Sequence, residues 1–280
     1  MSMESCSLLH AAHDDDRVFD MADYQGPVPR WCSGCGDHSV LAATQRLLAE
    51  KQLVPERTVF VSGIGCSSRL PHYLSTYGFH GIHGRALTIA TGIKLTRPEL
   101  DVFVVMGDGD CLSIGAGHWV HAVRYNVHMV ALLLDNEIYG LTKKQTSPTT
   151  PQGYRSSTQP RGSYLPAMNP LEATLGLTNA SFVAQTAEWV PAHLFATLKA
   201  AYEHNGFAFV RVLQRCPHFT ADIFGEAVKK PDLVEILEGP GGIRAEGLEK
   251  IYEHRIAHDP SQLNRARELA QDSSAVRLGL

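Results

Sequence analysis

The sequence predicts an α/β fold, a parallel β-sheet with helices on both faces. Two observations carry that reading. Four short apolar runs, at residues 58–62, 101–106, 128–134 and 207–213, are continuous rather than alternating, as strands covered on both sides are. The first three end in loops rich in glycine or polar groups, and helical patterns separate them, a succession that sets ligand sites at the carboxyl edge of a parallel sheet.

The 280 residues, 44% hydrophobic and 19% charged, suffice for one large α/β domain with a substantial core. With 25 basic against 29 acidic side chains there is no global basic field, so neither nucleic acid nor an anionic membrane surface is an expected partner. No apolar run approaches the roughly 20 residues that cross a bilayer, and the opening residues lack the basic start and apolar centre of a signal peptide. A cytoplasmic location is the expectation. Six cysteines in that reducing compartment argue against a disulfide framework, so their positions matter more than their number.

Residues 1–25 read as an extension, disordered or docked on a partner, in which Asp14, Asp15 and Asp16 form a solvated charge cluster. Residues 26–230 form the main domain. It opens on Pro29 to His38, with Cys32 and Cys35 on the turn entering a helix whose buried side carries Val40, Leu41, Leu47 and Leu48. The strand at 58–62 runs into Gly63-Ile64-Gly65-Cys66, the strand at 101–106 into Gly107-Asp108-Gly109-Asp110 and a helix over 114–124, and the strand at 128–134 into Asp135-Asn136-Glu137-Ile138-Tyr139-Gly140. Residues 142–170 are polar and without periodicity, a loop length that is usually functional or ordered by a partner. Helical patterns at 170–176 and 191–204 flank Ser181 to Gln185, and the strand at 207–213 ends just before Cys216. The more charged segment 231–280 is expected to be helical, with helices at 245–258 and 260–271.

Two constellations carry chemistry. Asp108 and Asn136, 27 residues apart in the intervening chain, each follow an apolar strand at one sheet edge. Their oxygens, with the Ile138 carbonyl, suit a hard divalent cation, and the glycines let backbone N–H groups approach a diphosphate. A Gly-Asp-Gly triplet alone also occurs as an ordinary turn. The second constellation is Cys32, Cys35, Cys66 and Cys216. A C-x-x-C pair serves equally a zinc site, a redox pair or an iron–sulfur cluster, and spacing does not exclude four-thiolate zinc. Cys111 reads as a packed side chain, and Cys6 lies in the extension. His118 and His121 have no carboxylate in register for a metal.

Taken together, GDGD followed by DNEIYGLTKKQTSPT, with WCSGCG, GIGC and a late cysteine before proline, resembles the β-subunits of the 2-oxoacid:ferredoxin oxidoreductase family over roughly residues 27–230. The resemblance implies a thiamine-diphosphate-binding fold in which Asp108, Asn136 and the Ile138 carbonyl hold Mg²⁺. Gly109, Asp110, Gly140 and Leu141 would line the diphosphate, and Ile64, Gly65, Cys66 and Ser67 would form a further cofactor contact. His83 and Gly84 belong to the HGRA…ATG segment near the cofactor, and Lys143 would hold the substrate carboxylate. Cys32, Cys35, Cys66 and Cys216 would ligate one [4Fe-4S] cluster.

The implied reaction is the coenzyme A-acylating oxidative decarboxylation of a 2-oxoacid, or its reverse, with electrons passing singly through the cluster to ferredoxin. The neighbouring Lys143 and Lys144 incline the substrate towards 2-oxoglutarate, whose second carboxylate they would meet. Because the pyrimidine-binding domain of two-subunit members lies on the α-subunit, an obligate α-subunit is implied, in an αβ or α2β2 assembly. A thiamine-dependent decarboxylase or carboligase without redox function, and a non-catalytic subunit held by structural zinc, are the alternatives.

Overall fold

The computed structural model describes residues 17–280; the expected charge cluster Asp14 to Asp16 and Cys6 lie outside the described residues. The later part of the expected extension is not loose. Met21–Tyr24 forms a 3₁₀ turn capped by Asp20, and the Tyr24 ring is fully buried with its hydroxyl against the carbonyls of Leu48 and Leu53 at 3.1 and 2.8 Å. A tyrosine that inserts its ring and satisfies its hydroxyl anchors its neighbours to the core, a signal that composition does not carry.

In chain order the main elements are α1 (Asp37–Glu50), β1 (Thr58–Ser62), β2 (Tyr77–His80), α2 (Ala86–Thr96), β3 (Asp101–Gly107), α3 (Ala116–Tyr125) and β4 (Met129–Asp135). There follow α4 (Pro170–Leu175), β5 (Phe182–Ala187), α5 (Pro191–Glu203), β6 (Phe207–Leu213) and α6 (Gly225–Lys229). The segment closes with β7 (Val234–Glu238), β8 (Arg255–Ala257), α7 (Leu263–Gln271) and β9 (Val276–Leu278).

The first six strands form one sheet, all parallel, in the order β2-β1-β3-β4-β6-β5. Alternate residues of its strands serve two cores. Phe60, Phe103, Val105, Leu132 and Val210 point into the layer with α1 and α5, whereas Val61, Val104, Met106, Leu133 and Phe209 point into the layer with α2 and α3. Burial on both sides is why these strands read as unbroken apolar runs. The expected α/β fold with helices on both faces is therefore the one observed. Cys111 is buried in the second layer, as a packed side chain.

The edge strand β2 had no sequence signal: its four residues are all exposed, so no buried face imposes a pattern. The expected helix at 114–124 begins later, because Asp110–Ile114 forms a π-helical turn. Wide turns of this kind concentrate at functional sites.

The segment 231–280 departs from expectation more strongly. It holds a second parallel sheet in the order β8-β7-β9, with α7 as its one helix of more than a single turn. The helix expected at 245–258 reduces to the turn Leu248–Lys250, preceded by Gly247 in the left-handed region and followed by β8. Glycine breaks the periodic pattern, and the free edge of β7 takes residues 255–257 into a ladder, satisfying backbone groups that the short charged stretch leaves open. Gln185 and Gly279 exchange backbone hydrogen bonds of 2.9 Å, joining the two sheets.

Candidate active site

The sheet changes its direction of growth at β1, with β2 on one side of it and β3 on the other. Such a reversal opens a crevice outside the carboxyl ends of the two strands. A cavity of about 470 Å³ lies there, walled by the loops that follow β1, β3 and β4. Ile64, Gly65, Cys66 and Ser67 line it from the first loop, Asp108, Gly109 and Asp110 from the second, and Asn136, Ile138, Gly140 and Leu141 from the third, with His83 beside them. Gly84 lies behind, its N–H donating to Asp110. Lys143 is not brought to the wall: it is exposed, with φ at +81°, and Thr142 and Gln145 line the cavity in its place.

Asp108 is 2% exposed, and burial, followed by the nearby Asp135 carboxylate, pushes its carboxyl well above the ordinary range. Its orientation is set from behind. The Ser147 hydroxyl donates to Oδ2, and Thr149 Oγ1 lies 2.8 Å from both Asp108 Oδ2 and Asp135 Oδ1. One hydroxyl proton between two carboxylates leaves net negative charge in a buried place, which a cation in the cavity would offset.

The loop bearing Asn136 is wound into two successive side-chain turns: Asp135 Oδ1 accepts from Glu137 N–H at 3.1 Å, and Asn136 Oδ1 from Ile138 N–H at 3.2 Å. Glu137 adopts φ +59°, a strained geometry that the Arg211 guanidinium helps hold by pairing with Asp135 at 2.6 Å and lying 3.7 Å from Glu137. Asp108, Asn136 and Ile138 all line the cavity, and a carboxylate, an amide oxygen and a carbonyl are donor types that a hard cation takes. Gly109 supplies the close approach beside them. Any side chain there would enter the Tyr139 ring, whose hydroxyl donates to the Gly109 carbonyl at 3.0 Å.

Asp110, on the cavity wall, also ties the surrounding loops together. Its Oδ1 accepts the N–H groups of Gly84 at 2.7 Å and Ile64 at 3.3 Å, so its carboxylate clips three loops together. His83 Nδ1 also lies 2.7 Å from that oxygen.

The four cysteines lie near one another beside Gly140, whose α-carbon faces both Cys66 Sγ and Cys216 Sγ; a methyl group built there would lie 3.7 and 3.9 Å from them. Cys35 is buried, Cys66 and Cys216 are half-buried and Cys32 is exposed. The 32–35 turn is closed by Cys35 N–H to the Cys32 carbonyl at 3.1 Å, and Gly36 N–H reaches the Arg215 carbonyl at 3.2 Å, joining it to the Cys216 loop. Trp31 Nε1 donates to the Cys66 carbonyl at 2.7 Å, joining it to the β1 loop. Burial raises the Cys35 thiol strongly and the Cys66 thiol to about 11. Among the described residues no three His, Cys, Asp or Glu side chains close around a point where one metal ion would sit.

Sequence reading missed the groups that hold these residues: Ser147, Thr149, Arg211, Tyr139, Trp31 and Gln214. The arginine in the otherwise apolar FAFVRVL was the one available signal, since a charge inside a buried strand requires a partner.

The fold and the cavity define a thiamine-diphosphate enzyme domain, and residues 63–212 match the thiamine pyrophosphate enzyme family, C-terminal TPP binding domain. The chain is 49% identical over 72% of its length to the 2-oxoglutarate oxidoreductase subunit KorB of Mycobacterium tuberculosis, covering 53% of that protein. It is 38% identical over 74% of its length to the 2-oxoglutarate synthase subunit KorB of Methanocaldococcus jannaschii, covering 76% of it. Superposition on the 2-oxoglutarate:ferredoxin oxidoreductase of Magnetococcus marinus, solved with 2-oxoglutarate, coenzyme A and succinyl-CoA, gives a TM-score of 0.80 at 38% identity, over 93% of this chain and 83% of that one. This chain belongs to the family of 2-oxoacid:ferredoxin oxidoreductase β-subunits. It spans about half the length of the Mycobacterium tuberculosis relative. Among the described residues no helix is long and apolar enough to cross a membrane.

Proposed function

We propose that the chain is the thiamine-diphosphate-binding subunit of a 2-oxoglutarate:ferredoxin oxidoreductase. The reaction is coenzyme A-acylating oxidative decarboxylation, or its reverse, with a [4Fe-4S] cluster as the one-electron relay to ferredoxin. The observation that carries this is the juxtaposition at Gly140: Gly140 and Cys66 both line the cavity with its cation-type donor set, and the sulfurs of Cys66 and Cys216 both lie beside the Gly140 α-carbon. The names of the relatives and the bound compounds of the Magnetococcus marinus enzyme support the substrate.

When bound, thiamine diphosphate supplies the carbon nucleophile for the ketone and the electron sink for decarboxylation. The residues of this chain hold it. Asp108, Asn136 and the Ile138 carbonyl would be the ligands for Mg²⁺, with the Asp108 carboxylate held by the Ser147 and Thr149 hydroxyls on its Oδ2. Cys32, Cys35, Cys66 and Cys216 would supply the four thiolates of the cluster, with Cys66 and Cys216 both beside Gly140. Lys143 lies outside the wall, so its role towards the substrate carboxylate requires the loop to turn when substrate or the partner arrives.

An α-subunit completes the site. Leu141 on the cavity wall is 46% exposed, and Ile82 and Ile114, beside His83 and Gly84, are 73% and 51% exposed, apolar surface that a partner would cover. A subunit contact there would also close the cofactor from water.

Metal analysis of protein purified without oxygen, together with whatever subunit accompanies it, tests the reading. About four irons and four sulfides per chain are expected; stoichiometric zinc without sulfide would return the assignment to the zinc-held or non-redox alternatives. Asp108→Ala should abolish thiamine diphosphate binding while iron content stays, and Cys35→Ser should lose iron first. An Asp108→Ala variant that bound the cofactor normally would sink the Mg²⁺ assignment.

A further inference from the structure

Cys35 has two polar neighbours at its sulfur, and they act in opposite senses. Asp37 Oδ2 lies 3.5 Å from Cys35 Sγ, in a side chain that is 1% exposed. Gln214, also 1% exposed, stands at the carboxyl end of β6 and donates from Nε2 to the same sulfur at 3.2 Å. The Asp37 main-chain N–H also acts on this sulfur, and among the described residues Gln214 supplies the one side-chain N–H that donates to any of the four cysteine sulfurs.

The Gln214 amide is fixed in place. Its second proton goes to the Arg215 carbonyl at 2.7 Å, which identifies the nitrogen end, since the reversed amide would set two oxygens together. Its main-chain N–H donates to the Asp135 carbonyl at 2.9 Å. On the other side Gly36 presses close, so that any side chain there would come within 3.0 Å of Gln214 Cγ.

We propose that Gln214 is a potential-setting residue, holding the reduction potential of the cluster above the value that the buried Asp37 carboxylate beside Cys35 would otherwise impose. The inference rests on the [4Fe-4S] reading. When the oxidised cluster accepts one electron, its charge falls by one and the added density spreads onto the ligand sulfurs. An N–H group already aimed at such a sulfur then binds the reduced form more strongly than the oxidised form. The Asp37 carboxylate works the other way, because added electron density beside it is disfavoured. Gln214 thereby poises the relay where electrons can be both received from the substrate and passed on.

The experiment uses the complex as it co-purifies without oxygen, with Gln214→Leu and Gln214→Met as two variants of similar size that cannot donate. Iron and sulfide are measured, and the cluster is then titrated potentiometrically with its paramagnetic reduced signal as the readout. At the potential where the wild type is half reduced, the ratio of reduced to oxidised cluster should fall by roughly three- to tenfold in both variants, tenfold being 59 mV for one electron. A role confined to shaping the turn would lower iron content and leave the midpoint where it was. An unchanged or raised midpoint at full iron overturns the proposal, as does loss of iron in both variants with thiamine diphosphate binding intact. Wild-type protein without iron would overturn the parent reading instead, before any variant is made.

Discussion

Thr149 shows how much of this site depends on single hydrogen atoms. Its hydroxyl lies 2.8 Å from a carboxylate on each side, Asp108 and Asp135, with one proton to give. Thr149→Val leaves both carboxylates without that donor in a buried place, a loss of about 1–3 kcal/mol, and should weaken Mg²⁺-dependent thiamine diphosphate binding by roughly ten- to a hundredfold. Thr149→Ser should restore most of it, and calorimetric titration of the cofactor distinguishes the two. The pair Asp108 and Asn136 was legible in the sequence because each follows an apolar strand. Ser147 and Thr149 were not, since a clamp 39 and 41 residues away from Asp108 makes no local pattern and the loop reads only as polar chain.

Elements announce themselves when burial is two-sided. β1, β3, β4 and β6 read directly as apolar runs, whereas exposed β2 carried no pattern and β8 was hidden in charged sequence that looked helical. α5 makes a prediction of its own. His193 on that helix is fully buried between the hydroxyls of Thr186 at 2.9 Å and Thr197 at 3.2 Å, and burial lowers its pKa from 6.5 to about 4.

A lowered value means that the unfolded chain takes up the proton first. The contribution of this neutral histidine is therefore fully present above about pH 6.5, is lost as pH falls towards about 4, and changes no further below that. The slope approaches about 1.4 kcal/mol per pH unit at its steepest. Denaturant melts across that window should show the fall in the wild type, and His193→Gln should flatten it; an unaltered slope would assign the acid sensitivity elsewhere.

At the scale of the whole molecule, the cavity links folding to ligand. Its walls come from three loops of one sheet, so a cofactor that binds the native state alone should stabilise all of it. Thiamine diphosphate with Mg²⁺ at a hundred times its dissociation constant should add about 2.7 kcal/mol. Thermal melts should then rise by several degrees, about 2–4 °C per kcal/mol for a domain of this size, and Asp108→Ala should remove the shift. A wild-type melting point indifferent to the cofactor would count against the site. The main sheet was legible as a whole because its strands obey one rule of burial. The second sheet was not, because its strands are short and partly exposed, and the ladder that holds β8 is visible only once β7 is in place.

Lys143 and Lys144 stand side by side with φ at +81° and +70°, where glycine would sit without cost. Glycine placed at these two positions in a search for heat tolerance would therefore relax the loop while removing two positive charges from the segment beside Thr142 and Gln145 of the cavity wall. The loop is thus a place where durability and reactivity pull a laboratory lineage in different directions, and heat tolerance gained there would be a poor guide to a better enzyme.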